Sequence, residues 1–455
     1  MKVVVTGGSG QLGTLVLERL VTHRKLKKIV SLDLVPPAVP SSRIDWRIAD
    51  LRDPGLERHL EGADALLHLA FIVMQPASVD TMYAVNVEGS RRIFAAAAQH
   101  GVRRIVYSSS VAAYGTVKGH PPVIVESTPR RRSPALIYAD NKYEVEEHLD
   151  AFEISHPDVT VVRLRPGVLM GRRMSLAAPS FLKKRVLPVL GDARAPLVWD
   201  EDVADAVVRS LDENVKGAFN LVADDPIDGD EFCRLAGFRP LHVPRAAASA
   251  ATRATSVLAP LLGERRLDAG WLDAADVDFR VSSAKARAEL GWKPRHSTTR
   301  EVAVAFGEAA PRGTDRRVAW FFSVISRFAQ SAAERGELGD THDLKLALHL
   351  DVTGPTGGDF ALTLDGGKVT LKPGIPRPPT STVTVPVDTL LDLLSGKGEV
   401  ATALLVGKIR VRGEPMGSTV LTGIIDGFRR TTESGGMRGR VARGFSRWFE
   451  QGARR

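Results

Sequence analysis

A tyrosine and a lysine four residues apart are well suited to acid/base chemistry. Tyr138 and Lys142 are separated by Ala-Asp-Asn, and a run of serines ending at Ser110 precedes them. On a helix this spacing places both side chains on the same face. A lysine cation favours the phenolate of a nearby tyrosine, which otherwise titrates at about pH 10, and so brings the phenol towards the range useful for proton transfer. The pair therefore predicts a site that transfers a proton to or from a bound ligand.

The N-terminal segment predicts a loop that binds a nucleotide phosphate. Residues 2–5 have the pattern of a buried parallel strand, residues 12–20 have that of an amphipathic helix, and the sequence TGGSGQLG joins them. Its glycines allow, in order, a tight turn, a close approach of the backbone to a pyrophosphate and close packing of the helix. The free N–H groups at the start of the helix favour an anion. We assign this loop to cofactor binding through Gly7, Gly10, Gln11, Leu12 and Gly13.

An aspartate at the end of the second predicted strand indicates which dinucleotide is bound. Residues 28–32 form that strand and Asp33 follows it, about twenty residues beyond the glycine loop. A carboxylate at this position accepts hydrogen bonds from an adenosine ribose and repels a 2′-phosphate. We therefore expect NAD rather than NADP, and we expect Asp33→Ala to weaken NAD binding.

These motifs, taken in order, resemble those of the extended short-chain dehydrogenases/reductases. The resemblance is to the NAD-dependent epimerase/dehydratase branch, which also contains the 3β-hydroxysteroid dehydrogenases, and it covers about residues 1–310. It implies an α/β Rossmann fold, a doubly wound parallel sheet, with a small substrate subdomain. It rests on the motifs TGGSGQLG, DLRD, HLA, NVEG, YSSSVAAYG, YADNK and RPG.

The resemblance also implies roles for individual residues. It makes Tyr138 the catalytic acid/base and Ser110 the hydroxyl that binds the reacting oxygen, with Ser109 as the alternative serine. Lys142 then binds the nicotinamide ribose and tunes Tyr138, so both residues also belong to the cofactor site. Tyr138→Phe is expected to abolish turnover while leaving NAD bound. Further cofactor contacts are implied for Asp50, Leu51, Leu69, Ala70, Pro166 and Val168.

The later part of this region favours an apolar substrate. Residues 247–262 are rich in alanine and contain no obvious set of polar groups for recognising a ligand. A nucleotide-sugar substrate needs groups that bind its diphosphate. The candidates for that role, which can equally form a solvated surface, are Arg172, Arg173, Lys183 and Lys184.

The C-terminal part of the chain has a different pattern, which predicts a second domain. A short helix over residues 387–396, and a helix leading into a strand over residues 401–413, form its second half. The first half alternates apolar and polar residues, as strands do, and we expect an antiparallel sheet there. Its four predicted strands are residues 345–352, 360–364, 368–371 and 382–385.

Two motifs of this second domain, LLDLLSG and GKIRVRG, resemble those of the sterol carrier protein 2 (SCP2) family over about residues 340–430. The resemblance implies a separate α+β domain in which a five-stranded sheet and helices enclose a hydrophobic tunnel for sterols or acyl lipids. The alternative is a domain used only for packing or dimerisation. We therefore divide the chain into a catalytic domain, a linker with an amphipathic helix, an SCP2-like domain and a tail: residues 1–310, 311–335, 336–432 and 433–455.

The tail is basic and amphipathic. Residues 433–455 contain six arginines against two glutamates, a net charge of +4. Val441, Phe445, Trp448 and Phe449 share one face of a predicted helix. Such a helix either lies on an anionic membrane surface or docks on the preceding domain, and both alternatives stay open.

The composition is that of an ordinary globular protein with a basic surface. The 455 residues are 44% hydrophobic, with a mean hydropathy of −0.06 and a net charge of +9. No nucleic-acid recognition motif accompanies this charge, so we expect no nucleic-acid partner. Cys233 is the single cysteine, which excludes an internal disulfide, and we expect no metal site. We find no secretory signal or membrane span and expect a cytoplasmic protein that contacts membranes only peripherally.

These interpretations together predict an NAD-dependent oxidoreductase of a hydrophobic secondary alcohol or ketone, such as a sterol, steroid or isoprenoid, fused to a lipid carrier domain. Two alternatives stay open. One is a nucleotide-sugar epimerase or dehydratase, in which NAD is recycled internally. The other is a non-catalytic lipid-binding or transfer protein that senses the redox state of NAD. The resemblance to extended dehydrogenases, which are often dimers, also allows a homodimer.

Overall fold

The computed structural model divides the chain into two compact units. The first contains Met1–Ala177 and Val186–Ala309, and the second contains Ala178–Arg185 and Ala310–Arg455. Most of the predicted linker, nearly all of the alanine-rich stretch and almost the whole basic tail lie outside the described residues. Those residues are 1–73, 78–171, 185–212, 214–249, 270–310, 330, 345–353, 358–365, 368–373, 379–394, 397–414 and 416–433.

Parallel strands form the centre of the first unit. Its described strands are β1 (Lys2–Thr6), β2 (Lys28–Asp33), β3 (Ile44–Ile48), β4 (Ala65–His68), β5 (Arg104–Ser108), β6 (Thr160–Pro166), β7 (Val168–Met170), β8 (Val186–Val189), β9 (Leu197–Trp199), β10 (Gly217–Leu221) and β11 (Arg239–His242). Seven of them form one sheet in the order β10-β6-β5-β4-β1-β2-β3, and every neighbouring pair is parallel. The order reverses direction at β1, which is the arrangement of a doubly wound Rossmann sheet.

Helices cover this sheet because its strands are apolar on both faces. Val3 and Val5 belong to one buried cluster and Val4 belongs to another, as the two-residue period of a strand requires. The described helices are α1 (Gln11–Leu20), α2 (Val79–Tyr83), α3 (Gly89–Gln99), α4 (Ile137–Ser155), α5 (Asp200–Asp212), α6 (Gly229–Ala236), α7 (Gly270–Ala274), α8 (Ala284–Glu289) and α9 (Thr299–Ala309). A π-helical turn, Ala84–Glu88, joins α2 to α3. Two 3₁₀ segments are also described, Pro54–His59 after β3 and Val111–Tyr114 after β5.

Four short strands lie outside the main sheet and form two separate parallel pairs. β7 pairs with β9, and β8 pairs with β11. β7 begins immediately after β6, at the carboxyl end of the main sheet, so these additions lie beyond the edge at which ligands bind in such folds.

The second unit is an α+β domain. Its described elements are β12 (Lys345–Thr353), β13 (Gly358–Asp365), β14 (Lys368–Pro373), β15 (Ser381–Pro386), α10 (Val387–Leu394), α11 (Val400–Leu405), β16 (Arg410–Gly413) and α12 (Met416–Glu433). The strands form one sheet in the order β14-β13-β12-β15-β16. One face of this sheet is apolar and buried, through residues such as Leu348, Phe360 and Val383. The alternation in the sequence therefore predicted the strands and the face that each residue occupies.

One part of this prediction was wrong, because the sheet is not wholly antiparallel. The β12–β13, β13–β14 and β15–β16 pairs are antiparallel, but β12 and β15 are parallel. After β14 the chain crosses to the free edge of β12 instead of turning back beside β14. Alternating hydrophobicity reports which face a residue occupies and carries no information about strand direction, so it could not show this crossover.

The described residues contain neither a metal cluster nor a membrane span. No group of three or more His, Cys, Asp or Glu side chains in these residues is arranged to hold a metal ion. Among the described helices, none is both long enough and apolar enough to cross a bilayer.

Candidate active site

The glycine loop has the tight geometry that the sequence predicted. Gly7 has φ = +73°, and its N–H donates to the carbonyl of Leu32, 3.0 Å away. A Cβ atom at Gly7 would lie 2.6 Å from the backbone nitrogen of Ala70, and one at Gly13 would lie 2.0 Å from the carbonyl oxygen of Gly7. Gly10 precedes the first residue of α1, which leaves the start of that helix facing the loop. Side chains are thus excluded at two of the three glycines by contact with backbone.

Asp33 lies at this loop. It ends β2, and its Oδ2 atom accepts a hydrogen bond of 2.9 Å from the backbone N–H of Ser9. Its other oxygen accepts from the N–H of Leu34, 2.7 Å away. The carboxylate is therefore fixed beside the turn that the sequence assigned to phosphate binding.

Asp50 and Leu51 have other partners in this structure. Arg52 donates to both oxygens of Asp50, from Nε at 3.0 Å and from Nη2 at 2.7 Å. This hydrogen bonding lowers the pKa of Asp50 below its usual value. The carbonyl of Leu51 accepts from Nη1 of Arg92 at 2.7 Å, and its side chain is buried. A cofactor contact by Asp50 would have to share this carboxylate with Arg52.

A network of buried polar groups fixes the loop after β4, which carries Leu69 and Ala70. His68 is buried between the hydroxyls of Thr6, 2.7 Å from Nδ1, and Ser90, 2.8 Å from Nε2. Burial, together with the charge of Lys142, lowers the pKa of His68 to about 3. The N–H of Leu69 donates to the carbonyl of Thr6, which holds the loop against β1.

The π-helical turn completes this loop. Asn86, in the middle of the turn, accepts a hydrogen bond of 2.7 Å from the N–H of Ile72 and donates one of 2.9 Å to its carbonyl. Its amide therefore satisfies both backbone groups of one loop residue. The wide turn directs Asn86 to this position, in keeping with the frequent occurrence of π turns at functional sites.

The structure brings Ser110 and Tyr138 together. Burial raises the pKa of Tyr138, and the interaction of its hydroxyl with the side chain of Ser110 partly offsets that rise. Ser110 also caps the 3₁₀ turn after β5, where it accepts from the N–H of Ala112, and it approaches the carbonyl of Pro166 at 3.4 Å. Ser109, the alternative serine, instead donates to the buried carboxylate of Glu146 at 2.6 Å. The geometry therefore favours Ser110 over Ser109 as the hydroxyl that acts with Tyr138.

Lys142 lies one turn of α4 after Tyr138 and is buried, with 2% of its surface exposed. Its ammonium group donates to the carbonyl of Ser108 at 2.6 Å and to the hydroxyl of Tyr107 at 3.2 Å. Burial moves the pKa of Lys142 well below its usual value, while the negative charge of Glu146 opposes that change. Both contacts hold the lysine at the carboxyl end of β5, beside the serine that follows.

Two aromatic side chains that the sequence analysis missed surround this pair. The ring of Trp271 stacks on that of Tyr138, with centroids 5.8 Å apart and planes at 22°. Phe71 meets Tyr138 edge to face at 5.7 Å, and its ring centre is 3.5 Å from Nζ of Lys142. Phe71 directly follows the HLA motif, so its position on the cofactor side was available from the sequence. Trp271 carried no such signal, because it lies far along the chain in α7.

A buried ion cluster beneath the site was also missed. Glu146, fully buried, accepts hydrogen bonds from Arg165 and Arg163 as well as from Ser109. Burial alone would raise the pKa of Glu146, but the guanidinium of Arg165 lowers it well below the usual range. Through Ser109 the cluster anchors the strand end that carries Ser110.

The remaining predicted cofactor residues occupy varied positions. Gln11 donates from Nε2 to the buried carboxylate of Asp200 at 3.1 Å. Leu12 packs against the hydrophobic core beneath the sheet. The N–H of Val168 donates to the carbonyl of Pro196 at 2.7 Å, and its side chain is exposed. Arg172, Arg173, Lys183 and Lys184 lie outside the described residues.

Comparison with known families identifies both units. The model of the NAD dependent epimerase/dehydratase family matches residues 3–221, and that of the SCP-2 sterol transfer family matches residues 327–426. The chain joins an NAD-dependent epimerase/dehydratase domain to an SCP2 domain. The predicted families and fold class are thereby confirmed, and the domain boundaries at residues 310, 335 and 432 stay predictions.

Known relatives of the epimerase/dehydratase domain include both uncharacterised proteins and enzymes. An uncharacterized protein of Mycobacterium tuberculosis is 25% identical over 309 residues, which cover 65% of this chain and 81% of that protein. UDP-glucose 4-epimerase of Mycolicibacterium smegmatis is 27% identical over 338 residues, which cover 68% of this chain and 96% of the enzyme. A crystal structure of a short-chain dehydrogenase/reductase superfamily protein from Agrobacterium tumefaciens, with bound NAD, is similar with a TM-score of 0.52 and 24% identity over 67% of this chain and 96% of that one. The domain thus has the fold of this superfamily.

Proposed function

We propose that this chain is an NAD-dependent oxidoreductase of a hydrophobic secondary alcohol or ketone, such as a sterol, steroid or isoprenoid, and that its SCP2 domain carries that lipid. The observation that supports the proposal best is the aromatic surface at Tyr138. Trp271 stacks on one face of the phenol, and the ring of Phe71 packs at right angles to it. A substrate that reaches the Tyr138 hydroxyl between these rings meets apolar surface, which favours an apolar ring or chain.

The residues at the glycine loop fit NAD. The positive φ of Gly7 and the close packing at Gly13 leave a backbone turn without side chains next to the start of α1, and such a turn accommodates a pyrophosphate. Asp33 offers a carboxylate to a ribose beside that turn. Lys142 is the corresponding candidate for the nicotinamide ribose, and Pro166 and Val168 are candidates for the wall beside the nicotinamide. These assignments support the proposal, with Asp50 the weakest of the set because Arg52 occupies its carboxylate.

The proposed reaction in the oxidative direction removes one proton and one hydride from a secondary alcohol. Tyr138, as a phenolate, accepts the hydroxyl proton while the C–H bond breaks and the C=O bond forms. NAD, when bound, provides the acceptor for the hydride. Ser110 donates a hydrogen bond to the substrate oxygen. Lys142, whose Nζ lies 5.9 Å from the centre of the Tyr138 ring, would stabilise the phenolate in its charged form and so oppose the effect of burial on Tyr138. Reduction of a ketone is the same path in reverse, with Tyr138 as the proton donor.

Two measurements test this proposal. Freshly purified protein is examined by native mass spectrometry, and the molecules extracted from it are identified; NAD together with a lipid is the expected result. Tyr138→Phe is then assayed with that lipid or its ketone. We expect no change in reduced nicotinamide absorbance, while calorimetric titration shows NAD binding at the wild-type affinity. Tyr143→Phe, a tyrosine on the same helix, serves as the control and retains turnover. Turnover by Tyr138→Phe would refute the assignment.

A nucleotide-sugar epimerase is the second candidate. The similarity to UDP-glucose 4-epimerase of Mycolicibacterium smegmatis over 68% of this chain favours it. In such a reaction the nicotinamide is reduced and reoxidised within one turnover, so no reduced cofactor accumulates. Interconversion of UDP-glucose and UDP-galactose without net reduction of NAD, together with extraction of a sugar nucleotide and no lipid, would select this candidate over the first.

A further inference from the structure

The SCP2 domain exposes two adjacent apolar side chains at one corner. Leu405 and Val406, at the end of α11, are 88% and 62% exposed, and Leu405 is the most exposed of the large hydrophobic side chains in the described residues. The opposite side of the same helix is buried through Val400 and Ala403. One side of this helix therefore belongs to the core, while its end presents an aliphatic surface to the surroundings. We call residues 405–407 the apolar tip.

The apolar tip is an ordered structure. Gly407 has φ = +71°, and its N–H donates to the carbonyl of Leu404 at 3.1 Å. The N–H of Ile409 donates to the carbonyl of Ala403, also at 3.1 Å, and the Ile409 side chain is buried. These bonds close the helix in the way typical of a glycine C-cap. The N–H groups of Val406, Gly407 and Ile409 are thus all bonded within the turn, which holds the backbone on which Leu405 and Val406 are exposed.

Positive charge follows the apolar tip directly. Residues 404–413, LLVGKIRVRG, contain three basic residues and no acidic one. Lys408, Arg410 and Arg412 are all exposed. Arg410 and Arg412 alternate along β16, which is an edge strand, and their partners on β15 are the neutral Thr384 and Thr382. A pair of exposed aliphatic side chains beside exposed cations matches an anionic lipid surface, into which the aliphatic groups insert while the cations contact headgroups.

We propose that the apolar tip docks the SCP2 domain on an anionic membrane, from which the domain takes its lipid. This inference deepens the proposed function, because it names the source of the substrate. Its test needs no turnover, so failure of membrane docking and failure of the proposed reaction are distinguishable.

The first experiment is co-sedimentation of the full chain with vesicles of phosphatidylglycerol and phosphatidylcholine. Leu405→Asp is expected to reduce the partition coefficient about tenfold, and Arg410→Glu by a similar factor. Binding is also expected to weaken as salt is raised and to be lost on vesicles of phosphatidylcholine alone. Ile154→Asp is the matched control, because Ile154 is 83% exposed on α4 but stands next to Glu153 and near Asp150. This control is expected to bind like the wild type.

The second experiment separates the apolar tip from the basic tail as the contact point. Leu405→Cys is labelled with an environment-sensitive fluorophore; the natural Cys233 is buried, and burial raises the pKa of its thiol to about 11, so it does not compete. We expect a blue shift of the label on anionic vesicles and no shift for a label at Ile154→Cys. A label at residue 405 that stays in water, or vesicle binding that survives both Leu405→Asp and Arg410→Glu, would overturn the proposal.

Discussion

Removing one buried charge should measure how strongly the ion cluster supports the site. Arg165 donates from Nε and from Nη2 to the two oxygens of Glu146, each at 2.8 Å. Arg130 donates at 3.1 Å and Arg163 at 3.3 Å. Glu146 is fully buried, and Arg163 and Arg165 are nearly so. Glu146→Gln keeps the shape of the side chain and removes its charge. Breaking a buried pair in this way leaves an uncompensated cation and costs about 3–5 kcal/mol.

The assay is scanning calorimetry of the full chain, following the transition of the epimerase/dehydratase domain. At about 2 °C per kcal/mol for a domain of this size, the midpoint should fall by about 6–10 °C. Glu147→Gln is the control. Glu147 is the next residue of α4, is 46% exposed at its side chain and pairs with Arg130 at 2.6 Å. Arg130 also pairs with Glu146 and Asp150, so Glu147→Gln leaves this arginine paired. Such a pair is worth about 1 kcal/mol or less, so its midpoint should move by about 2 °C at most.

The pH dependence gives a second check on the same variant. The folded-state pKa of Glu146 lies below its usual value, whereas in the unfolded chain it titrates at about 4.3. Its ionised form therefore stabilises the fold fully above about pH 5, and this contribution is lost as the pH falls below about 4 towards the folded pKa. The difference in thermal midpoint between the wild type and Glu146→Gln should therefore become smaller in acid. Equal midpoints for the two glutamine variants at neutral pH, or a gap that stays constant in acid, would refute the reasoning.

Three further predictions concern the cofactor side of the site. Gly7→Ala should prevent NAD binding and destabilise the domain by more than Gly62→Ala does. Both glycines have positive φ, but only a side chain at Gly7 would meet backbone, at Ala70. NAD titration and urea unfolding compare the two variants, and Gly62→Ala should lower the free energy of unfolding by about 1 kcal/mol. Between about pH 7 and pH 5 the free energy of unfolding should fall by about 2 kcal/mol less in His68→Asn than in the wild type. The reason is that His68 stays neutral in the fold, where its pKa is about 3, but titrates at about 6.5 when unfolded. Urea titrations that give the same pH dependence for both proteins would contradict this. Asp33→Ala should weaken NAD binding about tenfold and NADP binding less, as measured by calorimetry with both dinucleotides; unchanged NAD affinity would remove Asp33 from the cofactor site.

Local patterns predicted much of this structure because their causes are local. The glycine loop follows from steric limits on a turn between β1 and α1, and the strands of the SCP2 domain follow from alternation with a two-residue period. The spacing of Tyr138 and Lys142 on α4 fixes their common face in the same way. Motif order ranked Ser110 above Ser109, and this ranking agrees with the hydroxyl of Ser109 being bonded to Glu146 while Ser110 influences the pKa of Tyr138.

The missed features depend on contacts between distant segments. Trp271 reaches Tyr138 from α7, and no pattern around residue 271 indicates that contact. Arg165 and Glu146 meet only because β6 packs beside α4, so neither residue could be distinguished from a surface charge in the sequence. The hydrogen bonds from Arg52 to Asp50 are local, but the sequence does not show whether an arginine two residues away bonds to the aspartate or extends into solvent. Such pairings are set by packing rather than by propensity.

The π-helical turn at residues 84–88 also has an evolutionary meaning. A π-helical turn is closed by a hydrogen bond between residues i and i+5 and so holds one residue more than an α-helical turn. This helix therefore differs from an uninterrupted α-helix by one extra residue. Deleting one residue here would rotate the preceding side chains by about 100° relative to α3 and carry the amide of Asn86 away from Ile72. Alignments of related sequences therefore need a one-residue gap at this turn wherever a relative has a regular helix, since otherwise every position before it is compared with the wrong partner.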